Sequence, residues 1–558
     1  MSVITEKLPG IESGLSRHEF EHVMDLAYSK LQEYGYSGYD TRSGEDLEAH
    51  AIRTMELVAS FGGNRLPDAA GLVALLHDVV DRSANTRSNK YQANGRSREA
   101  ALVIDSFFAE AELPDHVERY VRVVSHGLIR TEIASSKHRI GVATQSAELL
   151  EGYSPDDAAA IRPMISGNYE GELPQSIWRV VQPYLDFDHM RDFVEGIDID
   201  AIFIKGCELA DNLKYPTSQR ESALLQDVLE AESFYAPILE ELKFDGLASL
   251  LRSRAHLVRL NKLGYSGAIE EAEERLSEIE KLGPERIISS VFGEGYCSVL
   301  PAVRGAASLS GRPPVFIGDI SISDDHSGQH GHYRIKEVGS LADKILDKGN
   351  VMDIMGVTVV SSSSMSSVET FVDFISNRLN SEVTNLTPCP SPGKEHALYV
   401  QGDQDYVSLV RSKLIDSGVD RPDDMAQFVV HDTDKESLRG YKDLTVSKAT
   451  FYANVDGVMV PTEVQFVTNE ERSRMRDGEI MHLVYKYIRQ ENSLRRLRGE
   501  SPLAPEDEGA IARKAVATLS GFKDRSDSMS ADSYEVNQMA ESYFANNWLD
   551  ESDRFRVS

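Results

Sequence analysis

The chain has 558 residues, of which 41% are hydrophobic and 27% are charged, and its formal net charge is -31 at pH 7. This length exceeds what one hydrophobic core supports, so two to four domains are expected. The negative charge argues against nonspecific binding to nucleic acid, which needs a basic surface. Anionic small ligands remain possible, because they need only a local cluster of Arg and Lys.

The sequence contains no sign of secretion or membrane insertion. No stretch approaches the roughly 18 uninterrupted apolar residues of a spanning helix. The first residues lack the basic and apolar regions of a secretory signal. Cys207, Cys297 and Cys389 lie far apart, which is typical of reduced cysteines in the cytoplasm. We therefore expect a cytoplasmic protein without a membrane partner.

The N-terminal part of the chain reads as almost entirely helical. Apolar residues recur three and four positions apart in residues 18–35, 45–62 and 97–113, and each segment ends near Gly or Pro. Residues 221–260 continue the helical pattern. Residues 266–283 form a charged amphipathic helix, which could open the next domain.

An adjacent His and Asp stand out in this helical part. His77 and Asp78 lie within residues 72–80, a segment apolar enough to be a buried helix. Burial of both groups is unfavourable unless each has a partner. A divalent cation that also binds His50 and Asp211 would satisfy them, and this donor set suits Mn, Fe or Zn. Backbone partners alone would account for one such pair but not for the whole set.

Strand patterns begin at about residue 313. Segments rich in β-branched residues cover 313–322, 351–360, 449–455 and 458–467. Asp456-Gly457 separates the last two and strongly predicts a two-residue hairpin. A helical segment, 367–379, alternates with the strands, so this domain is expected to be α/β or α+β.

Strand alternation predicts where two acidic residues lie. Asp353 is expected in a strand, on the same face as Met355 and Val357. Glu463 is expected to share a face with Gln465, while the residues that alternate with them point into the core. Two carboxylates on the open face of one sheet can hold Mg²⁺.

The N-terminal motifs resemble the hydrolase domain of the RelA/SpoT homologue family, the alarmone synthetase/hydrolases. They read TRSGEDLEAH (41–50), LLHDVVD (75–81) and CELADNLKYP (207–216), in the family's order. The resemblance implies an all-α, HD-type phosphohydrolase in which Mn²⁺ is bound by four residues: His50, His77, Asp78 and Asp211. A metal-bound water would attack the 3′-pyrophosphate of (p)ppGpp and release pyrophosphate.

The same motifs imply further roles and contain departures. Asp81 corresponds to an acid that positions the nucleophilic water, and Arg42 to a contact for guanine or phosphate. Alternatively, Arg42 is an exposed loop residue. Arg82 replaces the second acid of the family pattern, and Lys214 and Tyr215 replace a His and an Asn.

Residues of about 256–490 resemble the synthetase domain of the same family. The motifs read HYRIKEVGSLADKIL, VMDIMGV, RGYKDL and TEVQFVT followed by IMHLVYKY. The resemblance implies a nucleotidyltransferase-like domain with a mixed sheet. It also implies pyrophosphoryl transfer from ATP to the 3′-hydroxyl of GDP or GTP, which relies on positioning and charge more than on covalent chemistry.

The synthetase motifs supply candidate nucleotide contacts. We expect the ATP phosphates to be bound by Arg334, Lys336 and Lys344. Ser340, in the same segment, is a further candidate for nucleotide binding. Tyr441 offers an aromatic face for stacking guanine. The alternatives are a solvated helix start for the basic residues and an ordinary packed aromatic for Tyr441.

Asp353 and Glu463 are the candidate Mg²⁺ ligands and catalytic acids, and Glu463 would draw the proton from the ribose hydroxyl. Three positions depart from the family pattern. Thr358 and Val467 replace arginines, and Thr445 replaces a histidine. The absence of these groups should lower the affinity for nucleotide, because a hydrogen bond to a charged group contributes about 1.5–3 kcal/mol.

These observations divide the chain into four segments. The hydrolase domain covers 1–216, a connecting helical bundle 217–280, the synthetase domain 281–525 and an acidic tail 526–558. The leading interpretation is an enzyme with both activities, whose small-molecule partners are ATP, GDP or GTP, and (p)ppGpp.

Three alternatives remain open. In the first, only one half is active and the other half regulates it. In the second, the chain is a toxin-like pyrophosphokinase acting on tRNA, an interpretation supported by a small basic segment: Arg489, Arg495, Arg496 and Arg498. In the third, the chain is a non-enzymatic protein that senses alarmones.

Overall fold

The computed structural model describes most of the regions that contain the motifs. The continuous stretches are 47–62, 69–85, 198–214, 220–293 apart from residue 243, 297–299, 317–322, 330–348, 351–379, 385–390, 395–431 and 444–472. Shorter pieces are described within 22–29, 107–135, 171–180 and 488–510. In this part of the chain no helix combines the length and apolar character needed to cross a membrane.

The described part of the chain divides into two compact units, with the boundary between Val258 and Arg259. This boundary lies inside the segment 217–280 that the sequence predicts as a connecting bundle. It also falls within one long helix, α7 (Asp245–Lys262).

The described part of the N-terminal unit is helical. Its other helices are α1 (Leu47–Gly62), α2 (Ala69–Asn85), α3 (Gln175–Val180), α4 (Ile199–Lys214), α5 (Glu221–Glu230) and α6 (Ala236–Glu241). A π-helical turn, Ala231–Tyr235, joins α5 to α6. Helices α1, α2 and α4 pack on one another. The helical patterns in 45–62 and 221–260 are therefore confirmed, whereas those in 18–35 and 97–113 lie mostly outside the described residues.

The C-terminal unit combines helices with a mixed sheet. Its helices are α8 (Ser266–Leu282), α9 (Pro284–Phe292), α10 (Val338–Lys348), α11 (Ser364–Phe374), α12 (Gln404–Asp416) and α13 (Pro422–Met425). A π-helical turn, Ile375–Leu379, continues α11. The helices predicted in 266–283 and 367–379 are confirmed.

The described strands of this unit form one sheet. They are β1 (Cys297–Val299), β2 (Ile317–Ile322), β3 (His330–Ile335), β4 (Met355–Ser361), β5 (Leu386–Pro388), β6 (Leu398–Gly402), β7 (Ala426–Val430), β8 (Val446–Val455) and β9 (Val458–Thr468). The order is β1-β2-β3-β4-β9-β8-β6-β7, with β5 paired to β8. The β4–β9 and β6–β7 pairs are parallel and the others antiparallel. The predicted sequence of a helical region followed by a mixed α/β region is correct.

The hairpin between β8 and β9 sets the register at the centre of the sheet. Asp456 and Gly457 both have positive φ, 52° and 89°, as a two-residue turn of type I′ requires. The turn places Val455 opposite Val458 and Lys448 opposite Gln465. The predicted hairpin is therefore confirmed.

One face of the sheet forms the core of the unit. Residues in register on this face are Tyr333, Val357, Val464, Ala449 and Leu398. All are buried, and they belong to one hydrophobic cluster. Helices α8, α9, α11 and α12 pack against this sheet. The opposite face carries mostly polar side chains, among them Gln465 and Lys448.

Asp353 departs from the expected strand position. Strand β4 begins at Met355, so Asp353 lies two residues before it, next to a bend. Met355 and Val357 belong to the core, whereas the Asp353 carboxylate contacts Lys336 and Lys344. The prediction that Asp353 shares a strand face with Met355 and Val357 was wrong, because two-residue alternation does not extend through a bend.

Candidate functional site

Two rows of side chains cross the polar face of the sheet. In the first row the backbone register aligns His332, Thr358, Gln465, Lys448 and Tyr399 on strands β3, β4, β9, β8 and β6. In the second row it aligns Arg334, Gly356, Glu463 and Thr450. Because side chains on one face repeat every second residue, the two rows are neighbours. We call this surface the polar face.

Asp353 lies at the edge of the polar face and is held by two lysines. Lys336 Nζ donates to the carboxylate oxygen Oδ2 at 2.5 Å and to the backbone carbonyl at 2.7 Å. Lys344, from α10, donates to the same carboxylate oxygen. Three predicted site residues are thus brought together.

The charges of this group influence one another. Burial alone would raise the pKa of the Asp353 carboxyl, but Lys336 and Lys344 outweigh burial and hold that pKa well below its usual range. Burial, followed by repulsion from Lys344, lowers the pKa of Lys336 well below its ordinary value. Two basic side chains therefore converge on one carboxylate oxygen.

Glu463 faces the same surface from β9. Gln465 Nε2 donates to its Oε1 at 2.6 Å, and Lys448 Nζ lies 4.0 Å from that oxygen. Burial raises the pKa of Glu463, but Lys448 and the hydrogen bond from Gln465 more than offset it, so the pKa is lowered. Glu463 and Gln465 share the polar face, and Val464 and Phe466 lie in the core, as the sequence predicts.

The Arg334 side chain packs against Gly356 on the neighbouring strand β4. An ideal Cβ added to Gly356 would be 3.3 Å from Arg334 Nε and 3.4 Å from its Cγ. The absence of a side chain at Gly356 therefore lets Arg334 lie against β4. Ser340 is in the first turn of α10 with an exposed side chain, and Tyr441 lies outside the described residues.

The three residues that differ from the family pattern of the synthetase lie in different environments. Thr358 is half-buried on the polar face, and Thr445 precedes β8. Val467 is buried with Val360 and Val446 in a small apolar cluster. At position 467 this chain thus has an apolar contact where the family pattern has an arginine.

The acids of the polar face suit Mg²⁺, which is commonly bound by one or two carboxylates together with phosphates and waters. Asp353 and Glu463 provide two carboxylates, and Asp353 influences the pKa of Glu463 through space. Among the residues that the structure describes, no group of three or more His, Cys, Asp or Glu could by itself hold a metal ion. Phosphate oxygens would therefore have to complete the coordination.

The N-terminal unit brings its candidate imidazoles together. His50 in α1 and His77 in α2 are buried, and their Nε2 atoms lie 3.3 Å apart. Two nitrogens that each lie about 2.0–2.1 Å from one tetrahedral ion are about 3.4 Å apart. The spacing of this pair therefore fits shared coordination of a cation.

Asp211, from α4, contacts the far side of His50. Its Oδ2 lies 2.8 Å from His50 Nδ1. Arg53 Nε donates to Asp211 Oδ1 at 2.8 Å, and its Nη2 donates to Oδ2 at 2.7 Å. Burial raises the pKa of Asp211, but hydrogen bonds from His50 and Arg53 outweigh it and lower the pKa. A carboxylate in this position fixes the orientation of a metal-binding imidazole.

Glu208 is a site residue that sequence reasoning missed. Its Oε2 lies 3.8 Å from His77 Nε2 and 2.7 Å from Lys205 Nζ. The available signal was helical spacing, since Glu208 precedes Asp211 by three residues on α4 and therefore shares its face. Glu208 adds a carboxylate near the Nε2 edge of His77.

Several other predicted residues of the first site lie wholly or partly outside the described part of the structure. Asp78, Asp81 and Arg82 belong to helix α2, but their side chains lie outside the described part of the structure, as do Arg42 and Tyr215 in full. Lys214 is the last residue of α4 and is half-buried.

Comparison with known proteins adds no family assignment. No family model matches the chain, and no curated protein matches it significantly.

Proposed function

We propose that the chain is an enzyme of guanosine alarmone metabolism, as its motifs' resemblance to the RelA/SpoT homologue family implies. The C-terminal unit would transfer pyrophosphate from ATP to the 3′-hydroxyl of GDP or GTP. The N-terminal unit would hydrolyse the 3′-pyrophosphate of (p)ppGpp. The observation that carries the proposal is the polar face, where Asp353 and Glu463 lie beside the cationic groups of Arg334, Lys336 and Lys344.

In the synthetase reaction, the 3′-oxygen of the acceptor forms a bond to the β-phosphorus of ATP. The bond from that phosphorus to the α-phosphate oxygen breaks, and AMP leaves. Glu463, which its lowered pKa keeps ionised, would accept the proton of the 3′-hydroxyl. Mg²⁺, held by Asp353 and Glu463, would neutralise charge on the phosphates.

The two lysines at Asp353 have a second role in this proposal. Their ammonium groups already converge on one carboxylate oxygen, where they hold the acid in place. When Asp353 turns to a nucleotide-bound cation, both ammonium groups are adjacent to the phosphates and can donate to them. Arg334 approaches the same surface across Gly356.

In the hydrolase reaction, His50 and His77 would hold Mn²⁺, a metal for which imidazole and carboxylate donors are suitable. The ion would supply a bound water of lowered pKa. Asp211 and Arg53 orient the His50 ring through Nδ1, and Lys205 positions Glu208 beside His77. These contacts would hold the two imidazole rings in orientations that allow both to bind the same ion.

A single-activity enzyme is the second candidate, and the position of Asp211 favours it. The Asp211 carboxylate hydrogen-bonds to Arg53 and to His50 Nδ1. It therefore contacts the opposite side of the His50 ring from Nε2, the atom that approaches His77. In that case the C-terminal unit synthesises alarmone and the N-terminal unit regulates it.

A product assay separates these candidates. Purified protein is incubated with ATP plus GDP or GTP, and separately with ppGpp, each in the presence of Mg²⁺ or Mn²⁺. Formation of AMP with a 3′-pyrophosphorylated guanosine nucleotide supports the synthetase, and release of pyrophosphate from ppGpp supports the hydrolase. Failure of the first reaction with both acceptors would reject the synthetase proposal.

A further inference from the structure

Lys448 is a cation of the polar face that the motif comparison does not assign. It lies on β8, directly opposite Gln465 on β9 and Tyr399 on β6. Its side chain is 23% exposed. Lys448 is thus half-buried between two neutral neighbours, at the centre of the sheet.

The other lysines of this surface already have carboxylate partners. Lys336 and Lys344 both donate to Asp353. By contrast, Lys448 Nζ lies 4.0 Å from Glu463 Oε1, a distance that is too long for a hydrogen bond. The ammonium group of Lys448 can therefore donate hydrogen bonds to a ligand on the polar face.

The position of Lys448 relative to Glu463 defines which part of a nucleotide it would meet. Glu463 is the proposed acceptor of the 3′-hydroxyl proton. A group 4.0 Å from its carboxylate lies beside the atom that attacks phosphorus, and so beside the group being transferred. A phosphate there carries negative charge that an ammonium group can bind.

We propose that Lys448 binds the pyrophosphoryl end of the nucleotide triphosphate, in place of cations that the chain lacks at Thr358 and Val467. Thr358 shares the row of Lys448 on the polar face, and Val467 lies one step further along β9 on the same face. This assignment rests on the proposed pyrophosphoryl transfer and adds a residue to it.

The test compares the full chain with two variants at this position. Binding of α,β-methylene-ATP with Mg²⁺, and of AMP, is measured by calorimetry for wild type, Lys448→Met and Lys448→Arg. Loss of a charge-assisted hydrogen bond predicts that Lys448→Met weakens analogue binding about 10- to 100-fold. The affinity for AMP, which lacks the pyrophosphoryl end, should stay the same, and Lys448→Arg should retain most of the analogue affinity.

Lys413→Met is the matched control, because Lys413 is a half-buried lysine on α12, away from the polar face, with a distant ion-pair partner, Glu369, at 3.8 Å. It should bind the analogue like wild type. If wild type binds the analogue and Lys448→Met binds it equally well, the assignment of Lys448 is wrong while the transfer proposal stands. If wild type fails to bind the analogue, both are wrong. An equal loss of AMP and analogue binding in Lys448→Met would also reject the assignment.

Discussion

Lys336 is linked to Asp353 by two hydrogen bonds, one to the carboxylate at 2.5 Å and one to the backbone carbonyl at 2.7 Å. The backbone N–H of Lys336 also donates to the carbonyl of Ile354 at 2.9 Å. Lys336 follows β3 and Asp353 precedes β4, so these bonds join the ends of two neighbouring strands. The acid is therefore fixed at the edge of the polar face before any ligand binds.

Replacing Asp353 tests this link. Asp353→Asn keeps the size of the side chain but removes the negative charge that Lys336 and Lys344 share. We expect loss of pyrophosphoryl transfer and a decrease of about 1.5–3 kcal/mol in the free energy of unfolding, the range for a hydrogen bond to a charged group. Urea denaturation and the product assay measure the two effects. An unchanged free energy of unfolding would show that the contacts between the two lysines and the carboxylate do not stabilise the fold.

The same pair predicts a dependence of stability on pH. The folded-state pKa of Asp353 is below its unfolded value of about 3.9, so the ionised carboxyl stabilises the fold above that pH. This contribution disappears as the pH falls through the folded pKa. The difference in unfolding free energy between wild type and Asp353→Asn should be constant from about pH 5 to 7 and shrink below about pH 4. A difference that grows on acidification would contradict the assignment.

Gly356 tests the position of Arg334. Gly356→Val places a Cβ 3.3 Å from Arg334 Nε and 3.4 Å from its Cγ, and the two methyl groups of valine crowd the exposed arginine further, so it must move. We expect a several-fold higher KM for ATP and little loss of stability, since β-branched residues suit strands. Gly267→Ala is the control, because a Cβ there meets nothing within 4 Å. If both variants have wild-type KM values, Arg334 does not contact the nucleotide from its present position.

Much of the fold of the C-terminal unit follows from local sequence. Asp456-Gly457 can adopt the two positive φ angles of a tight hairpin, and this turn fixes which residues of β8 and β9 face each other. Alternation then separates Glu463 from the buried Val464. The same reasoning failed at Asp353, because the chain bends before β4 and hydrogen bonds from Lys336 hold the bend.

The site was predicted less completely than the fold. Lys448 belongs to no recognised motif, yet counting back from the hairpin turn places it opposite Gln465 and next to Glu463. Glu208 likewise becomes visible only when α1, α2 and α4 pack together, because its neighbour His77 is 131 positions away in sequence. Motif comparison detects residues that match a pattern, and these two match none.

Metal binding distinguishes the roles of His77 and Asp211. His77→Ala should abolish high-affinity Mn²⁺ binding, because it removes an imidazole nitrogen. Asp211→Asn removes the carboxylate that orients His50 and should weaken binding about 10- to 100-fold, as is typical for the partner of a metal ligand. Titration calorimetry with Mn²⁺ gives both values. Equal loss in the two variants would mean that Asp211 binds the ion directly, as the motif resemblance implies.

The most direct test of the central claim is a crossed comparison of two variants with wild type in the product assay. Asp353→Asn should form neither AMP nor a 3′-pyrophosphorylated nucleotide from ATP and GDP, while it still releases pyrophosphate from ppGpp with Mn²⁺. His77→Ala should show the opposite pattern. A wild type that forms no pyrophosphorylated guanosine nucleotide, or an Asp353→Asn variant that forms it at the wild-type rate, would contradict the proposed function.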